Sequence, residues 1–273
     1  MTGADQREGR EREGYRVDDA GADIEARRLG YLAKVFDSGS LRVLDRLGIT
    51  SGWRCLEVGA GSGSIARALA TRVAPGGQVL ATDVDVRALA STASAHLEVR
   101  EHDVVRDQLP DATFDLVHAR GVLQHLDRRD EALANMIQAA RPGGWVVVED
   151  ADWVTFDTQP VPEPFLGLHQ KMQAAYTETS GFDRHLGGRL VPWLRDAGLD
   201  GVDAEAHAFA MHGSEPTMEW YVLGIERAAP LLAEAGIVDL ATVDAALAQV
   251  REPDFCVLSP LAVAAWGQRP MRA

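Results

Sequence analysis

The chain has 273 residues, of which 46% are hydrophobic and 25% are charged, and its formal net charge is −14 at pH 7. Its length allows one large buried core, and no run approaches the roughly 18 consecutive apolar residues that a membrane helix needs. The acidic balance argues against a nucleic-acid substrate, because a phosphate backbone is met by a surplus of Lys and Arg.

The N-terminal region predicts a leader followed by helices. Residues 1–20 carry many charges and few large apolar groups, which is typical of a flexible segment. From Asp23 to Leu47 apolar residues recur every three to five positions, which predicts two helices separated at Asp37–Ser40. The polar N-terminus also lacks the apolar stretch of a secretory signal, so we expect a cytoplasmic protein.

An apolar run then ends in three glycines at alternate positions, in Cys55-Leu-Glu-Val-Gly-Ala-Gly-Ser-Gly-Ser64. Gly59, Gly61 and Gly63 permit positive φ and remove the Cβ atoms that would keep a ligand away from the backbone. The helix that follows aims its amide end at the same place. The pattern predicts a nucleotide-cofactor loop, although glycines after a strand also serve tight turns that bind nothing.

A second apolar run ends at Asp83, where an acid can accept hydrogen bonds from both hydroxyls of a ribose. A nicotinamide enzyme uses such an acid too. Its glycines are spaced G-x-G-x-x-G, however, which would place the third glycine where this chain has Ser64. A nicotinamide oxidoreductase is therefore a less favoured alternative.

Between residues 54 and 150, strand and helix patterns alternate, which predicts parallel strands joined by right-handed crossovers. The predicted strands are Arg54–Val58, Gln78–Thr82, Leu97–Glu101, Phe114–Ala119 and Trp145–Glu149. The predicted helices are Ser64–Val73, Asp85 to about Ala95, and Arg129–Ala140. In such sheets ligands bind at the carboxyl ends of the strands, where polar side chains of this chain gather.

The segment Glu57-Val-Gly-Ala-Gly-Ser-Gly63 resembles motif I of the class I S-adenosylmethionine (SAM)-dependent methyltransferases. Three later segments resemble further landmarks of that family in the family's order. They are His102-Asp-Val104, Phe114-Asp-Leu-Val-His-Ala119 and Arg141-Pro-Gly-Gly-Trp-Val-Val-Val-Glu-Asp150. The resemblance is strong over roughly residues 50 to 150.

The resemblance implies a fold and a set of cofactor contacts. The fold is α/β, a Rossmann-like doubly wound seven-stranded sheet that is mostly parallel with an antiparallel final strand. The cofactor is SAM and its product is S-adenosylhomocysteine. The implied cofactor-binding residues are Glu57, Gly59, Ala60, Gly61, Gly63, Asp83, Val84, Asp103, Val104 and Arg120. Among them Asp83 is assigned to the ribose, Asp103 with Val104 to the adenine, and Arg120 to the methionine carboxylate.

Beyond residue 150 the strand pattern fails, and aromatic residues appear among prolines. We expect a substrate lid at 151–196 and an N-terminal helical cap at 21–48, both within a single domain at 21–273. The alternative for 151–196 is a helical hairpin that covers a sheet edge. The rest predicts a strand at Val202–Met211, helices at Thr217–Glu234 and Val238–Val250, and a last strand within Phe255–Gln268.

Methyl transfer needs an acceptor held in line and, for a hydroxyl or amine, a base. The resemblance makes His125 the first candidate base, since related small-molecule enzymes have a histidine at the matching position. A purely structural histidine is the equal alternative. Asp150 and His169 are second choices, whereas His118, inside a strand, is expected to be buried or next to the cofactor.

The two cysteines, Cys55 and Cys256, lie far apart in sequence, so we predict no metal site and expect both thiols in the core. The sequence as a whole predicts a methyltransferase that acts on O, N or activated C of a small molecule, such as a bacterial secondary metabolite. The alternative from another class is a cyclase that binds SAM without transferring its methyl. Nucleic-acid and membrane partners are not expected, and whether a homodimer forms stays open.

Overall fold

A computed structural model describes residues 21–89, 92–213 and 215–271, so the predicted leader at 1–20 lies outside the described residues. Its main feature is a seven-stranded sheet in the order β3-β2-β1-β4-β5-β9-β6. The strands of this sheet are β1 (Arg54–Val58), β2 (Gln78–Asp83), β3 (Leu97–Glu101), β4 (Phe114–Arg120), β5 (Ala140–Asp152), β6 (Asp200–His207) and β9 (Leu261–Gln268). Two short strands, β7 (Ala210–His212) and β8 (Cys256–Leu258), pair separately.

Helices connect the strands and cover the sheet. They are α1 (Ala22–Arg46), α2 (Ser64–Val73), α3 (Arg129–Ala139), α4 (Val154–Thr158), α5 (Phe165–Ser180), α6 (Leu186–Asp196), α7 (Pro216–Glu234) and α8 (Leu240–Val250). Single 3₁₀ turns lie at Val86–Leu89 and Leu123–His125.

Strand directions follow the prediction. β1 pairs in parallel with β2 and β4, β2 with β3, and β4 with β5. β9 inserts antiparallel between β5 and β6. The doubly wound, mostly parallel sheet with an antiparallel last strand is confirmed, and it brings the carboxyl ends of β1 to β5 to one edge.

Two hydrophobic cores cover the two faces of the sheet. On one face α2 and the C-terminal half of α1 bury Leu44, Ile65 and Leu69 against the strands. On the other face α3 and α6 bury Leu133 and Leu190. Helix α6 thus packs on the sheet, so the C-terminal part of the segment predicted as a lid is one of the layer helices.

A third cluster, here called the aromatic core, lies outside these layers. Its buried residues come from two separate chain segments, 153–182 and 211–257, and α1 packs against it with Tyr31, Leu32, Val35 and Phe36. Rings that contact one another inside it are Trp153, Phe156, Phe165, Trp220 and Tyr221. The sequence indicated the first of these segments and not the second. Whether the first acts as a substrate lid stays a prediction.

The break predicted within the N-terminal helices is wrong, because α1 runs unbroken through Asp37–Ser40. Tertiary contacts use the residues that suggested a break. A Cβ on Gly39 would lie only 2.7 Å from the His207 ring, so this residue has no room for a side chain. The Ser40 hydroxyl donates to Glu149. Both residues are buried, so packing outweighs their poor helix propensity.

Three smaller predictions also fail. The single strand expected at Val202–Met211 is divided into β6 and β7, which belong to different sheets. The helix expected from Asp85 to about Ala95 is a 3₁₀ turn at Val86–Leu89 followed by an irregular segment, in which residues 90 and 91 are outside the described part. The Asp85 carboxylate accepts from the Arg87 amide and so favours a turn over a helix. Cys256, expected in the core, is exposed on β8, whereas Cys55 is buried.

Within the described residues no helix is long and apolar enough to cross a membrane.

Candidate active site

The glycine loop between β1 and α2 adopts the conformation that its sequence predicts. Gly59, Gly61 and Gly63 have φ values of 64°, 55° and 74°, which residues other than glycine rarely adopt. A Cβ on Gly59 would also lie 2.3 Å from a methyl group of Val122. The loop is tied to β2 by the Ala60 amide, which donates to the Thr82 carbonyl at 2.9 Å. The backbone here is therefore bare and fixed.

Asp83, the last residue of β2, contacts the glycine loop. One of its carboxylate oxygens accepts from the Gly61 amide at 2.8 Å, and the other accepts from the Asp85 amide at 3.1 Å. Burial raises the pKa of Asp83, and these two amides oppose that effect. Val84 is half-buried beside it. Each oxygen has a further lone pair that a ligand hydroxyl can use.

Asp103 and Val104 follow β3 at the same edge of the sheet. The Asp103 carboxylate accepts from the Val105 amide at 2.9 Å and stays half-buried. Val104 is buried, and its carbonyl accepts from Asn135. The structure thus brings the loop, Asp83 and the Asp103 turn to the ends of adjacent strands.

Glu57 does not face an open site, because it belongs to a buried charged cluster. The His118 ring bridges two carboxylates, Glu57 at 2.7 Å through Nδ1 and Glu149 at 2.8 Å through Nε2. Burial alone would lower the pKa of His118, but the two carboxylates raise it to about 10. The imidazolium therefore donates from both nitrogens, and the Glu57 carboxylate is paired with it.

Arg120 is held by α1. Its guanidinium donates to the carboxylate of Asp37 at 2.9 Å and to the hydroxyl of Ser40 at 2.9 Å. Asp37 also accepts from Ser64, the first residue of α2, at 3.0 Å. Through these bonds α1 is fastened across the carboxyl edge next to the glycine loop, and Leu29 of the same helix lies beside Gly61.

His125 lies in the 3₁₀ turn after β4, with its ring 5.0 Å from that of Phe182. Burial lowers the pKa of His125 to about 3, and the positive charges of Arg28 and Arg227 add to the effect against a smaller opposite contribution from Glu25. The ring is thus neutral at physiological pH. The equal alternatives of base and structural residue both stay open.

Asp150, near the end of β5, is buried, and neither carboxylate oxygen has a hydrogen-bond partner among the described residues. Burial raises its pKa well above the ordinary value; the backbone amides of Gln124 and Leu123 oppose this effect, and the neighbouring Glu149 charge adds to it. His169 lies elsewhere, on α5 inside the aromatic core, stacked on Phe156 at 4.6 Å. Burial lowers the pKa of His169 to about 3.

The residues that hold α1 against the carboxyl edge of the sheet were not identified from the sequence. Asp37 and Ser40 were interpreted as a helix break, and Glu149 was noted only as part of a motif. A recognisable signal was present, because Ser40 and Asp37 lie three positions apart and so share one helix face.

Comparisons with known proteins agree with this geometry. Residues 56–146 match the model of a family described as "Methyltransferase domain". Methyltransferase str2 of Strobilurus tenacellus is 33% identical over 149 residues, which cover 52% of this chain and 51% of that protein. Ubiquinone/menaquinone biosynthesis C-methyltransferase UbiE of Bordetella parapertussis is 27% identical over 179 residues, which cover 58% of this chain and 68% of that protein.

The fold has solved counterparts. The structure of phosphoethanolamine N-methyltransferase 2 of Haemonchus contortus superposes with a TM-score of 0.55 at 16% identity, over 88% of this chain and 56% of that one. The chain spans about half the length of the first relative and about two thirds of the second. Taken with the glycine loop and the strand order, these matches support a class I SAM-dependent methyltransferase, with a methyltransferase domain matched at residues 56–146.

Proposed function

We propose that this protein transfers a methyl group from SAM to an oxygen, nitrogen or activated carbon atom of a small molecule. The observation that carries the proposal is the fixed, side-chain-free loop at Gly59–Gly63, with Asp83 beside it at the carboxyl edge of a parallel sheet. The loop fits a nucleoside, because its glycines leave the backbone without side chains and the Asp83 carboxylate retains lone pairs for two hydroxyls.

The residues around the loop divide the binding between them. Asp83 holds the ribose, Asp103 and Val104 border the adenine, and the glycines let the methionine part approach the backbone. Arg120 is a weaker candidate for the methionine carboxylate, since it is already paired with Asp37. When bound, SAM supplies an activated methyl group on a sulfonium centre.

Proton removal from the acceptor is assigned to Asp150 ahead of His125. A base works best when its pKa is near the operating pH, and burial moves Asp150 toward that range while it moves His125 away. His169, in the aromatic core, is assigned to acceptor binding. For acceptors that need no base, positioning suffices.

The experiment that tests the function is product mass. We expect incubation with SAM and a panel of small phenols, amines and conjugated carbonyl compounds to give a product heavier by about 14 mass units, since H is replaced by CH₃. A product of unchanged mass with SAM retained would instead assign the alternative, a SAM-binding cyclase. The cytoplasmic location and the secondary-metabolite role stay predictions, and whether a homodimer forms stays open.

A further inference from the structure

The aromatic core contains polar atoms that the protein itself leaves unused. Three buried atoms have no hydrogen-bond partner among the described residues: Nε1 of Trp153, Nε2 of His169 and Oε1 of Gln173. Their residues are only 6%, 1% and 5% exposed. A buried polar group without a partner costs roughly 1–3 kcal/mol, so three in one cluster call for an explanation.

These residues form one group. The rings of Trp153 and His169 are 5.2 Å apart, and the Tyr221 ring lies 5.6 Å from that of Trp153. Tyr221 shares a 2.6 Å hydrogen bond with Nδ1 of His169. Gln173 is one turn after His169 on α5, and its amide is near enough to Tyr221 to lower the pKa of that hydroxyl against the larger effect of burial. The polar members therefore lie side by side in one group.

The directions of the hydrogen bonds determine which donors and acceptors in this group have no partner in the described part of the protein. Burial raises the pKa of Tyr221, which therefore keeps its proton, and lowers that of His169 to about 3, which keeps the ring neutral. We take the Tyr221 hydroxyl as the donor to Nδ1 of His169 across their 2.6 Å contact. The imidazole proton is then on Nε2. The unused set is two N–H donors, from Trp153 and His169, and one acceptor, from Gln173.

The group lies close to the cofactor loop. Trp153 directly follows the last residue of β5, three positions beyond Asp150. Helix α1 contacts both places, because Leu29 lies beside Gly61 and Phe36 packs on Trp220 at 5.6 Å. Seven residues of helix separate these contacts by about 10 Å along the axis. That is a span that a small molecule can bridge.

We propose that Trp153, His169 and Gln173 bind the methyl acceptor, a flat, uncharged, conjugated molecule that carries a carbonyl-type oxygen and a hydroxyl. The oxygen accepts from the two N–H groups, the hydroxyl donates to Gln173, and the surrounding rings stack on the conjugated plane. This proposal rests on the proposed function and deepens it, since it names the class of substrate. The three residues would bind the acceptor, whereas Asp150 remains the candidate base.

The aromatic core supplies a matched control. Trp220 is in the same cluster and equally buried, but its indole N–H already donates to the Thr217 carbonyl at 2.8 Å. Ligand binding should therefore change the environment of the Trp153 N–H and leave the hydrogen bond of Trp220 in place. The variants Trp153→Phe and Trp220→Phe identify the two indole signals among the six tryptophans of the chain.

The experiment follows indole N–H signals by NMR while 3- or 4-hydroxyacetophenone is added, with isopropylbenzene as the probe that lacks both polar groups. We expect at least one hydroxyacetophenone to move the Trp153 signal downfield and to leave the Trp220 signal nearly unchanged. Gln173→Met should weaken that binding about tenfold, the loss expected for one buried hydrogen bond, without lowering the unfolding temperature.

Two results would overturn the proposal. One is that neither hydroxyacetophenone moves the Trp153 signal, which assigns the three atoms to internal water only. The other is that Gln173→Met binds the probe as well as the unmodified protein does, which also keeps the test decisive if Trp153→Phe does not fold. A titration of the same samples with SAM separates this failure from failure of the proposed function, because it reports the cofactor site alone.

Discussion

Asp83 is the side chain whose loss we expect to act most directly on the cofactor. Replacing it with Ala removes the acceptor of the Gly61 amide and the proposed partner of the ribose hydroxyls. We expect Asp83→Ala to weaken SAM binding by about 1–3 kcal/mol, the usual consequence of leaving such partners unsatisfied. Calorimetric titration measures the change, and circular dichroism checks that the fold is intact.

Two variants make the Asp83 result specific. Asp83→Asn keeps one oxygen for the Gly61 amide and should lose less affinity than the Ala variant. Asp111→Ala removes a carboxylate paired with Arg269, an arginine outside the candidate site, and should leave SAM affinity unchanged. Equal affinity of Asp83→Ala and the unmodified protein would remove Asp83 from the site.

The pH profile of kcat/KM distinguishes the two candidate bases. If Asp150 takes the proton, activity rises with pH through a pKa that burial has moved well above the ordinary range of a carboxyl group, and Asp150→Asn abolishes this step. If His125 takes it, activity is already at its plateau above about pH 3, and His125→Ala lowers turnover on the order of 10²-fold. The structure predicts the first outcome, and a profile flat above pH 4 with a large His125→Ala effect would contradict it.

At the level of single residues, the sequence predicted the positions that a local pattern defines. The glycines, Asp83 and Asp103 each follow a strand, and their place in the chain largely determines where they lie. The sequence could not predict the His118 cluster in the same way. Its members come from β1, β4, β5 and α1, and only the strand order and the path of α1 bring them together.

Helix α1 is the element that joins the cofactor edge to the aromatic core, and the His118 cluster stabilises its attachment. In the folded protein His118 holds a proton up to about pH 10, whereas an unfolded histidine releases it near 6.5. The stabilisation is therefore fully present below about pH 6.5 and is lost as the pH rises through about 10. We expect the free energy of unfolding to fall between these values.

Urea unfolding at several pH values checks this dependence. The fall should be much smaller in His118→Gln, which has no proton to lose. Glu149→Gln, which removes one carboxylate from the ring, should move the fall to lower pH and serves if the first variant does not fold. A pH dependence that is the same in all three proteins would show that His118 is not charged in the fold.

Elements were predicted well where periodicity alone determines them, and less well where packing intervenes. The strands from β1 to β5 and helices α2, α3, α7 and α8 follow the sequence pattern to within a few residues, except that β5 is longer at both ends. Helix α1 is unbroken because Gly39 packs against His207 and the Ser40 hydroxyl donates to Glu149. Helix α6 looked like part of an insertion because aromatic residues surround its sequence, yet its apolar face belongs to the sheet.

The whole molecule is an acidic body with a net charge of −14. Because nucleic-acid affinity depends on neutralised phosphates, we expect no binding to a fluorescent double-stranded DNA or RNA at low ionic strength, where such binding is strongest. Fluorescence anisotropy measures this directly. Salt-sensitive binding would indicate a local basic surface and would reopen the choice of acceptor.

At this scale the sequence predicted the class of the fold and the sheet, but not the second half of the aromatic core. Most of its residues at 211–257 lie in helices with ordinary apolar stripes, which fit packing against any partner. Their partners are specified only by the tertiary fold, and so the group proposed to bind the acceptor could not be predicted from the sequence.

Parallel calorimetric titration with SAM, S-adenosylhomocysteine and NAD measures whether the loop at Gly59–Gly63 binds SAM. We expect micromolar binding of the first two and none of NAD. Binding of NAD alone, or of none of the three, would show that the loop is not a SAM site.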